Sequence, residues 1–383
     1  MKTINKFIAI LMVTTALGLH YSCTKNGSSG TPIIDYVRIN RPLSADSLLV
    51  AATQGSNIVI VGDNLGNTVQ CWFNNQQASL TPPYITNTNI MVQVPTNVPT
   101  VINNKIKLVF SNGDSLLYNF QVSINKPTLN SMDCEYVNDG SVATIRGNYF
   151  YAPFKVYFPG VSGPMAAVID SFGDEVIKVT VPVGSQPGQI TVTSNFGTTS
   201  SNFLFRDNRN IFISSDPFVG WHDPSFVVTN PGPTDPPSIA GNYIRVNQLV
   251  TSWEYLEVAD GPSSSYPIFA NFPADAILHP SLYYLKFEVN TVSPYTANCV
   301  NILAGAQDNS HGFYQWQPPY NTNGQWQTVV IPYDQVVSSY SNAMPNPPGG
   351  YFTGIIFQGA TALAYDICFD SFRIVPRTIP GNN

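Results

Sequence analysis

The chain has 383 residues, enough for two or three domains, and only 10% of them are charged. Asn, Ser, Thr, Gly and Pro fill the polar positions, which suits short strands and turns and argues against long solvated helices built on Glu, Lys and Arg. A formal charge of −6, two units more negative without a leader bearing Lys2 and Lys6, is a poor match for phosphate backbones and argues against a nucleic-acid partner.

Residues 1–22 carry Lys2 and Lys6, then an apolar run from Phe7 to Leu19, then small and polar residues. That run is too short to span a bilayer and reads as a secretory signal. Cys23 follows directly, with a small polar spacer over residues 24–30. The arrangement resembles a bacterial lipoprotein signal and implies lipidation of Cys23. His20 and Tyr21 depart from the usual small or aliphatic residues there, and an ordinary signal peptide with an incidental cysteine is the alternative.

Two copies of one unit come next, over residues 31–125 and 126–206. The run GSNIVIVGDNL (Gly55–Leu65) aligns with GSVATIRGNYF (Gly140–Phe150) at an offset of 85, each with two glycines seven residues apart. At the same offset Val69, Cys71 and Phe73 match Phe154, Val156 and Phe158. A period this long exceeds a solenoid repeat, so each copy is expected to be a domain. Short alternating runs between Gly, Pro and Asn predict antiparallel sandwiches. The Pro-led first strand, the G-x-x-F/L turn and the closing N-F strand resemble the IPT/TIG immunoglobulin-like family, and since neither copy holds an aromatic cluster as dense as the third domain's, both are expected to be spacers. Cys71 and Cys134 fall in different copies and are expected to be buried singly, while a Cys299–Cys368 bridge stays open.

The repeat stops near Arg206, and residues 207–378 are expected to form a third, larger β-sandwich of the jelly-roll type, with strands over 283–289, 300–304, 325–331, 353–358 and 365–375. The fold class is therefore all-β. Here FYQWQPPYNTNGQWQTVVIPY (Phe313–Tyr333) crowds large rings around Pro318 and Pro319 without an acid, base or metal ligand. Rings that offer an apolar face beside a wet polar atom suit a sugar. Tyr314, Trp316 and Tyr320 are the expected platforms, joined by Tyr295 in the turn after Pro294 and by Trp221. Asn301, Gln307, Gln315, Gln317 and Asn321 are the amides placed to meet sugar hydroxyls, whereas Trp326 and Trp253 are expected in the core.

The segments KFEVNTVSPY (Lys286–Tyr295), YQWQPPY (Tyr314–Tyr320), GQWQTVVIPY (Gly324–Tyr333) and DICFDSFRIVP (Asp366–Pro376) resemble the glycan-binding domain of Bacteroidetes surface glycan-binding proteins of the B type. Where that pattern usually has Trp, this chain has Tyr295 and Tyr320. The resemblance implies a non-catalytic lipoprotein on the outer face of the outer membrane. It would bind xyloglucan or another β-linked polysaccharide beside a TonB-dependent importer and its glycan-capturing lipoprotein partner. No cofactor and no metal site is implied. Two alternatives remain: a protein-binding adhesin on an Ig-like stalk, and a glycoside hydrolase using Glu254 with Glu257 or Asp366 with Asp370.

Overall fold

The computed structural model describes residues 30–379 apart from 45, 214, 217–223, 263–271, 307–309, 342 and 348–349. Cys23, Trp221 and Gln307 lie outside the described residues. The chain divides into two compact units, Met1–Asn125 and Lys126–Asn383.

Besides a parallel pair of Ala51–Thr53 with Gln121–Ser123, the first unit has one sheet of Ile33–Ile39, Asn57–Asp63 and Asn89–Gln93 and another of Gln76–Ala78, Thr68–Phe73, Lys105–Phe110 and Ser115–Asn119. Period-two alternation turns Ile58, Ile60, Cys71, Phe73, Ile106 and Leu108 into one dry layer between them. The repeat glycines have a physical reason. Gly62 faces the first strand where its register shifts, and a Cβ there would sit 2.0 Å from the Ile33 carbonyl oxygen. Gly147, 85 residues on, faces the matching irregularity, 1.9 Å from the Thr128 oxygen. Gly55 and Gly140 turn at φ +76° and +77°, where a side chain is strained.

The second unit holds two sandwiches. The Ig-like one pairs the sheet of Thr128–Met132, Val142–Asn148, Val176–Thr180 and Val168–Phe172 with that of Met165–Ala166, Phe154–Phe158, Thr191–Ser194 and Gly197–Ser200. The C-terminal one has a six-stranded sheet of Val227–Val228, Tyr243–Val250, Leu363–Pro376, Tyr283–Thr291 and Gln327–Pro332, with Ile211–Ile213 also paired to Leu363–Pro376. Facing it is a four-stranded sheet ordered Leu256–Pro262, Phe352–Phe357, Val300–Ala306, Tyr314–Trp316. Phe287, Phe369 and Phe372 from the first sheet meet Trp316, Phe357, Val300 and Ile355 from the second. The four described cysteines are buried and unbridged, so Cys299 and Cys368 do not meet in a disulfide.

A buried charge cluster joins the two sandwiches of this unit. Arg373, with no exposed surface, donates from Nη2 to Glu135 of the Ig-like domain (2.7 Å) and to Glu288 (2.8 Å). Lys286 donates to the other Glu135 oxygen. Thr328 donates to Glu288 (2.6 Å) and accepts the Glu135 backbone N–H (2.7 Å). Burial alone would lower the Arg373 guanidinium, but Glu288 and Glu135 more than reverse this and hold it charged. Beside it Arg209 pairs with the buried Asp207 (2.8 Å). Glu135, Glu288 and Asp207 therefore balance Lys286, Arg373 and Arg209, provided that Asp370, buried in the same place, is neutral.

Burial does push the Asp370 carboxyl up to about 8, and its Oδ2 has no hydrogen-bond partner among the described residues. The unfolded carboxyl loses its proton near pH 4, so between about pH 4 and 8 the folded chain holds a proton the unfolded chain lacks. Stability from this group is thus greatest at low pH and falls as pH rises, by up to about 1.4 kcal/mol per pH unit. Glu288, also raised by burial, acts in the same sense. Asp370→Asn should raise the melting temperature at pH 8 and flatten its decline from pH 5 to 8. A variant with the wild-type pH profile would remove Asp370 as the cause.

Candidate functional site

The aromatic segment lies differently from the sequence expectation. Tyr295 is 1% exposed and Trp316 7%, and both belong to the core between the two sheets. The Trp316 ring meets Phe287 edge-on at 5.4 Å and lies 5.1 Å from Tyr295 and 5.0 Å from Tyr320. The Tyr295 hydroxyl donates to the Trp316 carbonyl (2.5 Å) and accepts the Val300 N–H (3.0 Å), which satisfies a buried phenol. These two residues therefore hold the sandwich together and are not open platforms. The reason is parity: Trp316 stands opposite Val300, in the row that continues through Phe357 and points inward. Tyr314 shares that parity and is half-buried, as is Tyr320, whose hydroxyl donates to Gln327 (3.3 Å). Trp326 is buried elsewhere, edge-on to Tyr243 at 5.4 Å, with its indole N–H on the Pro237 oxygen (2.8 Å).

The opposite parity builds a different surface. Glu257, Ile356, Asn301 and Gln315 are cross-strand partners in one row on the outer face of the four-stranded sheet. Beside this row lie Gln358, Cys299 and Gln317, with the Gln358 N–H donating to the Cys299 oxygen (3.0 Å), while Tyr255 immediately precedes the edge strand Leu256–Pro262. Side chains confirm the shared face: Cys299 Sγ lies 3.4 Å from Asn301 Oδ1, and Gln317 Nε2 reaches Cys299 Sγ (3.5 Å) and Gln315 Oε1 (3.2 Å). Gln315 and Gln317 are exposed over a buried floor of Asn301, Cys299 and Ile356. Asn301, Gln315 and Gln317, singled out by sequence, come together here, while Asn321 sits in a separate turn bonded to Asn323 (3.1 Å).

Exposed rings border this face at its edge strand. Tyr255 is 48% exposed and Trp253 67%, although TSWEYLEV reads as a strand with Trp253 in the core. The segment is instead a turn. Glu254 accepts both the N–H and the hydroxyl of Thr251 (2.7 and 2.9 Å), Ser252 donates to the Ala360 oxygen (2.7 Å), and the Trp253 N–H donates to Gly359 (2.8 Å). These bonds hold Trp253 at φ +58°, a conformation that is a true outlier for a bulky residue. Such strain persists where surroundings over-determine it and clusters at binding sites.

The arrangement offers exposed rings next to one edge strand and the exposed amides of Gln315 and Gln317 at the opposite edge strand. Of the candidate carboxylates, Glu254, Asp366 and Asp370 are each engaged by other groups. Glu254 is held by Thr251, whose backbone N–H keeps it below the usual carboxylate range, and Glu257 lies on the sheet face. Asp366 is clamped by Arg245 at 2.8 and 2.9 Å, and Asp370 is sealed in the charge cluster. Among the described residues no helix is long and apolar enough to cross a membrane.

An all-β chain of Ig-like sandwiches ending in a sandwich with this kind of face has the build of a modular binding protein. Residues 205–376 match the family described as the surface glycan-binding protein B xyloglucan binding domain, and residues 49–125 match the IPT/TIG domain. The chain is thus similar to the B-type surface glycan-binding proteins over residues 205–376 and to IPT/TIG domains over residues 49–125. An IPT/TIG domain-containing protein of Bacteroides ovatus is 28% identical over 205 residues, covering 52% of this chain and 41% of its own length. The chain thus spans about two fifths of that curated relative. The crystal structure of the surface glycan-binding protein PbSGBP-B from Prevotella bryantii superposes with a TM-score of 0.65 at 23% identity, covering 92% of this chain and all of that one. A further solved structure, SGBP-B from a complex xyloglucan utilization locus in Bacteroides uniformis, gives a TM-score of 0.48 at 16% identity over 91% of this chain and all of that one.

Proposed function

We propose that the chain captures a soluble β-linked plant polysaccharide, of the xyloglucan class, on the outer face of the four-stranded sheet and does not cleave it. The observation that carries this is the pair of exposed rings, Trp253 and Tyr255, at one edge of the sheet and the exposed amides Gln315 and Gln317 at the other, within a segment that matches the xyloglucan-binding domain family. Each ring that removes roughly 50 Å² of sugar C–H surface from water contributes about 1.2 kcal/mol. Two rings with a few amide hydrogen bonds reach an affinity on the order of millimolar, sufficient for a tethered protein acting beside other binders of the same polymer. Half-buried Tyr314 and Tyr320 pack against the core and are not counted among the contacts. In this reading Cys23 is lipidated and anchors the protein to the outer membrane, facing the exterior. It works there with a TonB-dependent importer and that importer's glycan-capturing lipoprotein.

Affinity gels containing xyloglucan, xylan, glucomannan or mixed-linkage glucan test ligand and class together. Residues 126–383, one compact unit, should be retarded as strongly as the full mature chain, and residues 30–125 not at all. Retardation by the first Ig-like domain, release of reducing ends, or binding to no polysaccharide would each overturn the reading, the last in favour of an adhesin.

A further inference from the structure

A groove of about 560 Å³ separates the Ig-like sandwich of residues 126–206 from the C-terminal sandwich. One wall is the outer face of an Ig-like sheet, where Val142, Thr144 and Lys178 line it and Thr144 stands opposite Lys178. The other is the turn leading into Gln327–Pro332, which presents Asn323, Gln325 and the edge of Trp326. Both walls belong to one body. The Thr328 N–H donates to the Asp133 oxygen (2.9 Å) at the foot of the groove, and the Glu135–Arg373 cluster lies behind it. The groove is therefore formed before any ligand arrives, and its size is that of ordinary ligand clefts.

Its chemistry is narrow. Amides and the hydroxyls of Ser141, Thr144 and Thr322 sit beside the apolar Val142, more than half exposed, Val137, Ile239 and the Trp326 ring edge. Of the charged groups that line it, Asp133 is taken up by Arg146 in a bidentate pair, leaving Lys178. A polyanion would want several cations and a peptide a deeper apolar slot, whereas a neutral chain of alternating C–H and O–H surface fits both walls. We infer that this interdomain groove is a second binding site for a neutral glycan chain, so that the Ig-like domain contributes ligand contacts besides spacing. This rests on the reading of the chain as a polysaccharide binder. Two sites within one compact unit would engage one polymer bivalently.

The mature full-length chain, titrated calorimetrically with xyloglucan oligosaccharides and run on xyloglucan affinity gels, tests the inference. The wild type should show two sites per chain. Thr144→Trp, which fills the groove from the Ig-like wall, should leave one site and weaken polymer binding by about threefold to tenfold. Gln325→Ala, at an exposed position, should weaken the groove site with an unchanged melting temperature. Tyr255→Ala should abolish the sheet-face site and spare the groove site. A binding wild type with one site, unaltered by Thr144→Trp and Gln325→Ala, overturns the groove alone. A wild type that binds no polysaccharide overturns the sheet-face reading, and the groove falls with it.

Discussion

Replacing Arg373 by Ala should destabilise the 126–383 unit by about 3–5 kcal/mol, because breaking a buried ion cluster strands charges that cannot reach water. Glu135 and Glu288 both take hydrogen bonds from Arg373 Nη2, and neither is more than marginally exposed. Without the guanidinium the two carboxylates repel each other, and Lys286 is their nearest remaining cation. For a unit of this size the loss lowers the melting temperature by on the order of 10 °C. Combining Arg373→Met and Lys286→Met with Glu135→Gln and Glu288→Gln should recover much of the stability, since these four then leave no charge stranded among them. A fall of only one or two degrees in Arg373→Ala, measured by calorimetry at pH 7, would show that the cluster is not what joins the two sandwiches.

The second large effect separates two tryptophans. Trp253→Ala combined with Tyr255→Ala should remove most of the retardation in polysaccharide gels, leaving only what the groove contributes, and leave the melting temperature within about two degrees of wild type. Each lost ring removes on the order of 1–2 kcal/mol of binding and no core contact. Trp316→Ala should do the reverse. It empties a site walled by Phe287, Tyr295 and Tyr320 and destabilises the fold by about 3–5 kcal/mol. Full binding by the Trp253/Tyr255 variant, or a Trp316→Ala protein that melts normally and binds nothing, would move the site back to the aromatic segment.

Much of the fold was legible because its causes are local. The paired glycines at an offset of 85 mark a shared close approach of strands, and alternation marks the sandwich faces. The site was harder to read because alternation gives parity but not its sign. Gln315 and Trp316 are neighbours on one strand, and only pairing with Val300–Ala306 decides which of them faces water. A local signal did exist for Trp253. Thr251 and Glu254 have the Ser/Thr-x-x-Glu spacing in which the acid closes a turn on the residue three before it, so TSWE was readable as a turn with its ring outward. Nothing local announces the charge cluster. Glu135 and Arg373 are separated by 238 positions, and each alone reads as an ordinary surface charge.

That cluster also sets the size of the piece that can be transplanted. A graft beginning at residue 207 would carry Lys286, Glu288 and Arg373 to its new host as a naked, hydrophilic scar on one face of the larger sheet, with Glu135 left behind. The interchangeable cassette, for evolution shuffling modules or for a designer building a capture reagent, is the Ig-like domain and its sandwich together.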